Sequence, residues 1–319
     1  MASLITVTAR PSPLERPTQD ARLARILLFS TLMSTEHKNT WIVGLDLDER
    51  CLGALVFASW LAEAGDTTVG VHVLEAWARP HIRSETVLAK VDDMVVRTSK
   101  ALGLTRPTRM SPIEAVQAEE GLTVACTAEL ASGLVIGRVA RSDQAPFTRL
   151  GVVARRLLRE LPAPVIVVPP DQTTIGGGPV ILAIDLTDTT EAAVSFARNL
   201  AARHHRPLEI VHVGHRRRSS FIPDFNPSWV VARDEYHDFV VSAVNAWTAK
   251  HGLADILQHV MYGDPAEELA RAATSRKAAL VVVGSRHLGL VGRAFLSSTA
   301  SVLAGTASCP VAVVPSGHR

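Results

Sequence analysis

The sequence is short of cysteine, of net charge and of long apolar runs, and each shortage excludes a class of protein. Its three cysteines form no Cys-x-x-Cys pair and no metal-ligand spacing, so neither a disulfide framework nor a zinc site is expected. The formal net charge of +2 is too small for a protein that recognises nucleic acid through its phosphates. Apolar runs such as 278–283 fall far below the roughly 20 residues of a membrane span. We therefore expect a globular, cytoplasmic protein with no membrane segment and no specific nucleic-acid partner.

Motifs of the common catalytic classes are also missing. The sequence has no Gly-x-x-x-x-Gly-Lys-[Ser/Thr] phosphate loop, no Gly-x-Gly-x-x-Gly after a first strand and no Gly-x-Ser-x-Gly nucleophile elbow. No paired carboxylates and no Ser/His/Asp set can be assigned from spacing. We predict no catalytic residues, no metal site and a protein that is not an enzyme, with slow ATP hydrolysis as the alternative left open.

The first 39 residues differ in composition from the rest. They show no sustained period of 2 or 3.6 residues, and three prolines stand between Thr8 and Arg22. This composition predicts a disordered or weakly structured leader. Met33 stands shortly before the first predicted strand, so it competes with Met1 as the start of the protein. The intact mass of protein from the native source distinguishes these two starts.

Three landmarks occur twice in the same order and give the strongest signal in the sequence. Each is a short apolar run that ends in an aspartate, a glycine or a proline. The pairs are 41–46 with 180–185, 133–137 with 279–284, and 164–169 with 310–315, at offsets of 139, 147 and 146 residues. Such similar offsets indicate one unit copied in tandem. We define a first half (40–170), which is the more degenerate copy, a linker (171–178) and a second half (179–316).

Strand and helix patterns alternate in both halves. Runs that are apolar at nearly every position are typical of strands covered on both faces, and hence of parallel sheets. Further strands are predicted at 69–74, 208–213 and 256–261, and helices begin near Asp188 and Pro265. Right-handed βαβ units then predict an α/β fold of two tandem open parallel sheets with helices on both faces. The linker, with three consecutive glycines, is expected to be flexible.

Candidate ligand contacts follow from the ends of these strands. Open parallel sheets bind ligands beyond the carboxyl ends of the strands, where the strand order reverses. The first half offers Asp46 and Gly137 at these ends, and the second half offers Asp185 and Gly284. Each aspartate has two interpretations, because it either accepts hydrogen bonds from a ligand or only caps the next helix. The Gly- and Ser-rich segment after Gly284 suits a phosphate, but it also suits any strand-to-helix turn.

Two consecutive histidines are not expected to bind a metal ion. His204 and His205 lie near the end of a predicted helix, where a protonated imidazole interacts favourably with the helix dipole. Neither has the neighbouring carboxylates or thiols that a metal site requires.

These features together resemble the universal stress protein family. The resemblance rests on the strand-ending aspartates, on Val-Val-Val-Gly-Ser-Arg at 281–286 and on Cys-Pro-Val-Ala-Val-Val-Pro at 309–315. It covers about residues 40–169 and 179–316. It implies a five-stranded sheet of order 3-2-1-4-5 in each half, with strands one and four adjacent at the reversal. It also implies a homodimer or an intramolecular pair of domains, and a protein partner whose identity the sequence does not give.

Some members of this family bind ATP through the pattern Gly-x2-Gly-x9-Gly-[Ser/Thr]. Laid on the second half, the pattern begins at Gly284 and ends at Ser298, but His287 and Ser297 replace its other two glycines. On the first half Gly137 fits, whereas the later positions fall on residues 140, 150 and 151. A Cβ at a phosphate-facing turn obstructs close approach of the backbone. ATP binding is therefore a hypothesis for the second half and a weaker one for the first.

The resemblance also assigns roles to individual residues. It implies that Asp185 lies near the adenine or ribose, that Val213 lies along the base, and that Gly284, Arg286 and Ser298 contact phosphates. The candidate contacts in the second half are Ala183, Ile184, Asp185, Val213, Val283, Gly284, Arg286, His287, Ser297, Ser298 and Thr299. The candidates in the first half are Asp46, Gly137, Arg138 and Gly151.

Two classes of function stay open at this point. The resemblance implies a non-enzymatic stress-response protein that binds ATP or another adenine nucleotide in its second half. The alternative is an interaction or dimerisation module of the same fold that binds no small ligand.

Overall fold

The computed structural model describes residues 38–46, 51–78, 83–139, 150–187, 191–214, 227–285 and 298–317. The leader, apart from residues 38 and 39, lies outside the described residues. So do three candidate contacts, Arg286, His287 and Ser297, and the predicted helix cap Asp188.

In its described residues the first half forms five strands and four helices. The strands are β1 (Thr40–Gly44), β2 (Thr67–Glu75), β3 (Arg109–Ala115), β4 (Gly133–Gly137) and β5 (Val165–Val168). The helices are α1 (Leu52–Glu63), α2 (Ser84–Leu102), α3 (Ala118–Ala128) and α4 (Val152–Glu160).

The described residues of the second half repeat this order of elements. Its strands are β6 (Val180–Ile184), β7 (Leu208–Gly214), β8 (Leu257–Tyr262), β9 (Leu280–Ser285) and β10 (Val311–Pro315). Its helices are α5 (Glu191–Arg203), α6 (Pro227–Lys250), α7 (Pro265–Ser275) and α8 (Ser298–Thr306).

The α/β fold and the strand order of each half are confirmed, with one addition. The order is β3-β2-β1-β4-β5 in the first half and β8-β7-β6-β9-β10 in the second, so each half has the order 3-2-1-4-5. The two sheets join edge to edge, because β5 and β10 pair antiparallel from Val165–Val313 to Val167–Val311. The predicted tandem sheets are therefore two parts of one ten-stranded sheet, and the two halves pair within the chain.

Two hydrophobic cores lie on the two faces of this sheet, and each core extends through both halves. Helices α1, α2, α5 and α6 cover one face, and α3, α4, α7 and α8 cover the other. Helix α1 is buried at every position from Gly53 to Leu61. It is apolar all round, as is typical of a helix enclosed by protein. No helix in the described ranges is long and apolar enough to cross a membrane.

A polar cluster on the face covered by α1, α2, α5 and α6 joins the two halves. We call it the junction cluster. Its centre is Asp66, on the turn after α1, whose side chain has no exposed surface. The Asp66 carboxylate accepts hydrogen bonds from Trp41 Nε1 at 2.8 Å and from the guanidinium of Arg203 at the end of α5. The same guanidinium donates to the Ala64 carbonyl at 2.9 Å. A buried carboxylate of the first half is thus neutralised by a cation of the second.

Next to the junction cluster, an imidazole of the second half stacks on an indole of the first. The rings of His204 and Trp60 lie 3.4 Å apart between centroids and 14° from parallel. His204 Nε2 is buried and has no hydrogen-bond partner within the part of the chain that the structure describes. Burial lowers the pKa of His204 to about 4, assisted by the positive charges of Arg203 and Arg206. Burial and the neighbouring arginines therefore favour the neutral form of His204 near the end of α5.

Contacts between the halves also occur on the opposite face of the sheet. Arg138, directly after β4, is 7% exposed, and its Nη1 donates to the Ala304 carbonyl near the end of α8 at 3.0 Å. A cation beside the last carbonyls of a helix interacts favourably with the helix dipole. Polar contacts therefore hold the two halves together on both faces.

The linker, expected to be flexible, is held against the second half near its end. The Gly178 amide donates to the Lys277 carbonyl at 2.9 Å, and Arg206 Nη1 donates to the Gly177 carbonyl at 2.7 Å. A Cβ at Gly178 would lie 2.1 Å from the Arg276 carbonyl oxygen, so only glycine permits this approach. Close backbone packing thus explains the glycines at positions 176 and 178.

Candidate functional site

The reversal of strand order in the second half brings its main candidates together. Strands β6 and β9 are parallel neighbours, and Ala183 pairs with Val283 near their carboxyl ends. Ile184 and Asp185 therefore follow on one strand where Gly284 and Ser285 follow on the next. This adjacency is what the sequence predicted. We call the space beyond these ends the β6–β9 crevice.

A tight turn presents Asp185 at the β6–β9 crevice. Asp185 is exposed, and its Oδ1 accepts hydrogen bonds from the Thr187 amide at 3.0 Å and from the Thr187 hydroxyl at 2.6 Å. Leu186 between them has φ +63°, a left-handed conformation that a side chain disfavours. Trp247 Nε1 on α6 donates to the Thr187 carbonyl at 3.4 Å. Asp185 thus closes its own turn, several residues before α5 begins at Glu191.

A histidine on the neighbouring strand, which was not among the predicted site residues, also holds this turn. His212 Nδ1 lies 2.9 Å from the Ile184 carbonyl oxygen. In the first half, His72 Nδ1 lies 2.8 Å from the Leu45 carbonyl oxygen, one residue before Asp46. The signal was in the sequence, since Val-His-Val occurs at 71–73 and again at 211–213, 140 residues later.

Apolar side chains line the floor of the β6–β9 crevice. Ala183, Val213 and Val283 pack on the core beneath α7 and α8, and Val283 is 6% exposed. Val213 pairs with Met261 of β8, and the Met261 side chain is buried. A small apolar floor beside an exposed carboxylate suits a flat heterocycle that carries hydrogen-bond donors.

Acidic groups cap one helix N-terminus at the carboxyl ends of the strands in each half, and these two ends lie at opposite edges of the sheet because β5 and β10 are antiparallel. Asp264 Oδ1 accepts from the amides of Ala266 and Glu267 at the start of α7, at 3.0 and 3.1 Å. Glu75 Oε1 accepts from the Ala118 amide at the start of α3, at 3.0 Å. Carboxylates that occupy these amides repel a phosphate. Helix α8 differs because its first turn, which begins with Ser298 and Thr299, contains no acidic residue.

The strand ends of the first half converge as those of the second do, since β1 and β4 are parallel neighbours with Val43 paired to Val135, but the residues that follow differ. Asp46 is exposed after β1, and Gly137 ends β4. Arg138 donates to Ala304 across the junction between the halves, so its guanidinium is directed to a helix end. Gly151 has φ +71° at the start of α4, a backbone conformation that glycine adopts without strain. Its position is explained by the turn alone.

The reactive groups of the described chain form no recognisable catalytic set. No group of three or more His, Cys, Asp or Glu side chains in the described ranges is placed to hold a metal ion. Burial raises the pKa values of the Cys126 and Cys309 thiols to about 12. Thiols with such high pKa values are poor nucleophiles at neutral pH.

Similarity to known proteins agrees with this arrangement. The sequence model of the universal stress protein family matches residues 39–169 and again residues 178–315. A universal stress protein of Thermus aquaticus is 31% identical over 135 residues, which are 42% of this chain and 96% of the relative. One from Mycobacterium tuberculosis is 28% identical over 144 residues, 43% of this chain and 48% of the relative. That match spans about half the length of the mycobacterial protein.

Solved structures share the fold across most of the chain. A universal stress protein from Archaeoglobus fulgidus aligns with a TM-score of 0.60 and 18% identity, covering 88% of this chain and 100% of that chain. A protein of unknown function from Pseudomonas aeruginosa aligns with a TM-score of 0.64 and 16% identity, covering 88% and 93%. At these identities the structures support the fold alone. Because the family model matches both halves, the chain belongs to the universal stress protein family, with two tandem domains.

Proposed function

We propose that the second half binds ATP or another adenine nucleotide in the β6–β9 crevice. The observation that carries this proposal is the hydrogen-bonded turn that presents Asp185 beside Gly284, over the apolar floor of Ala183, Val213 and Val283. A carboxylate accepts hydrogen bonds from an amino group or a ribose hydroxyl, and the floor contacts a flat base. Ser298 and Thr299, in a first turn without acidic residues, favour phosphates at the start of α8.

The proposal is asymmetric between the halves. Arg138, which directly follows β4 in the first half, donates to Ala304 of the second half. In the second half, Arg286 and His287 directly follow β9 in the sequence. We therefore propose a single nucleotide for each chain, and a regulatory, non-enzymatic role in the cytoplasm in response to stress. The homodimer predicted from the family resemblance stays a prediction.

We expect ATP to raise the melting temperature of the protein. At about ten times the dissociation constant, mass action adds about 1.4 kcal/mol, which corresponds to a rise of about 2 °C in a chain of this size. Asp185→Ala removes the proposed acceptor for the adenosine group and is expected to weaken ATP binding about tenfold or more. Thermal-shift titration with ATP and Mg²⁺ measures both effects.

The first half supplies the matched control. Asp46→Ala removes the equivalent strand-end carboxylate, and the ATP-dependent shift of this variant is expected to equal that of the wild type. An equal loss in both variants would contradict the assignment of the site to the second half.

A second candidate function is an interaction module that binds no nucleotide. Two observations favour it. Thr187 already donates two hydrogen bonds to Asp185 Oδ1, which a ligand would otherwise use, and His287 and Ser297 replace two glycines of the ATP-binding pattern. This candidate predicts no thermal shift at millimolar ATP. Accumulation of ADP during the same titration would instead indicate an ATP-hydrolysing enzyme.

A further inference from the structure

We infer that His212 is a positioning residue for the proposed nucleotide site, because its ring anchors the turn that presents Asp185. The inference rests on the proposed function, since it concerns the same β6–β9 crevice. It adds a residue of the neighbouring strand that contacts the backbone of the site and is not required to contact the nucleotide.

The hydrogen bond between His212 and Ile184 determines the form of the imidazole. A carbonyl oxygen only accepts hydrogen bonds, so Nδ1, at 2.9 Å from the Ile184 oxygen, must be the donor. In the neutral form of the ring, the proton is therefore on Nδ1. The contact joins β7 to the last residue of β6, at the point where the chain leaves the sheet.

The duplication supplies independent support. His72 makes the same contact to Leu45 at 2.8 Å, one residue before Asp46. The two halves differ in many neighbouring positions, for example Trp41 against Val180 at the start of the first landmark. The contact is nevertheless present in the half whose later motif positions have diverged most. It therefore belongs to the strand-end turn itself, whichever ligand the crevice takes.

The turn needs such an anchor because its backbone is disfavoured. Leu186 holds φ +63°, where a side chain meets the backbone unfavourably. Residues in such conformations persist only where surrounding contacts determine them. Here His212 fixes the residue before Asp185, while Asp185 and Trp247 fix Thr187 after it. Without His212, Leu186 is free to return to an ordinary conformation, and Asp185 leaves the position that the nucleotide needs.

Two substitutions at position 212 separate the hydrogen bond from the volume of the ring. His212→Asn places an amide donor at the same distance from the backbone as Nδ1, whereas His212→Leu removes the donor. We expect His212→Leu to weaken ATP binding about tenfold, and His212→Asn to stay within about threefold of the wild type. His72→Leu is the matched control: it removes the same contact from the first half, and its ATP affinity is expected to stay at the wild-type value.

Amide hydrogen exchange of Leu186 and Thr187 in the nucleotide-free protein provides the second measurement. His212→Leu is expected to accelerate this exchange, whereas His212→Asn and His72→Leu leave it unchanged. Unchanged exchange in His212→Leu, or ATP affinity equal to the wild type in that variant, overturns the inference. If the wild type itself binds no ATP, the proposed function fails, and the exchange rates alone decide whether His212 anchors the turn.

Discussion

Arg203→Ala is expected to destabilise the protein by about 3 kcal/mol, because it leaves the Asp66 carboxylate buried without its cation. The Asp66 side chain has no exposed surface, and Trp41 Nε1 is then its main remaining side-chain donor. The loss falls on the junction cluster, so the two halves should also become less cooperative in unfolding. Urea denaturation, followed by circular dichroism and tryptophan fluorescence, measures both consequences.

Two further variants make this expectation specific. Arg198→Ala changes an exposed arginine on the same helix and is expected to alter stability by less than about 0.5 kcal/mol. Arg203→Ala combined with Asp66→Asn removes both charges, so the double variant should lose less than the sum of the single losses. Additive losses would show that Asp66 and Arg203 do not act as a pair.

Acid is expected to destabilise the fold between about pH 6.5 and pH 4 through His204. Burial lowers the pKa of His204 from 6.5 to about 4 in the folded protein. Between these values the unfolded chain binds more protons than the folded chain, so stability is fully present above pH 6.5 and falls as the pH decreases. The ring is only half-buried, so solvent reduces the loss from the roughly 3 kcal/mol of the full pKa difference to about 2 kcal/mol.

The variant His204→Phe tests the origin of this acid sensitivity. Phenylalanine can keep the stacking on Trp60 but does not titrate, so the variant should lose less stability than the wild type between pH 7 and pH 5. His259 contributes an acid sensitivity that the wild type and His204→Phe share. Burial lowers its pKa, with a further contribution from Arg276, and the hydrogen bond to Glu209 at 2.8 Å opposes this. Identical pH profiles of wild type and His204→Phe would contradict the role of His204.

Most of the fold was predictable because the information was repeated. Each buried strand occurs twice at nearly the same offset, and βαβ units permit few topologies. The joining of β5 and β10 was not predictable in this way. All four residues of β5 are buried, so its sequence is as apolar as that of an inner strand. This apolar pattern does not show which strand covers the free edge of β5.

The same distinction applies to the candidate site. Features that depend on strand order were predictable from the sequence, and features that depend on packing between the halves were not. The adjacency of Asp185 and Gly284 follows from strand order, which depends on topology alone. The direction of Arg138 depends on how the halves pack, because its acceptor at Ala304 lies 166 residues away in sequence. His204 illustrates the same limit, since its stacking partner Trp60 belongs to the other half. His212 differs from Arg138 and His204, because its position was predictable. Val-His-Val occurs in both halves, at 71–73 and 211–213.

The number of ATP molecules bound by each chain tests the central claim most directly. Isothermal titration calorimetry of the full chain with ATP and Mg²⁺ is predicted to give one site per chain, located in the second half. Two sites per chain would contradict the asymmetry between the halves, and no detectable heat or binding at millimolar ATP would contradict the nucleotide site itself.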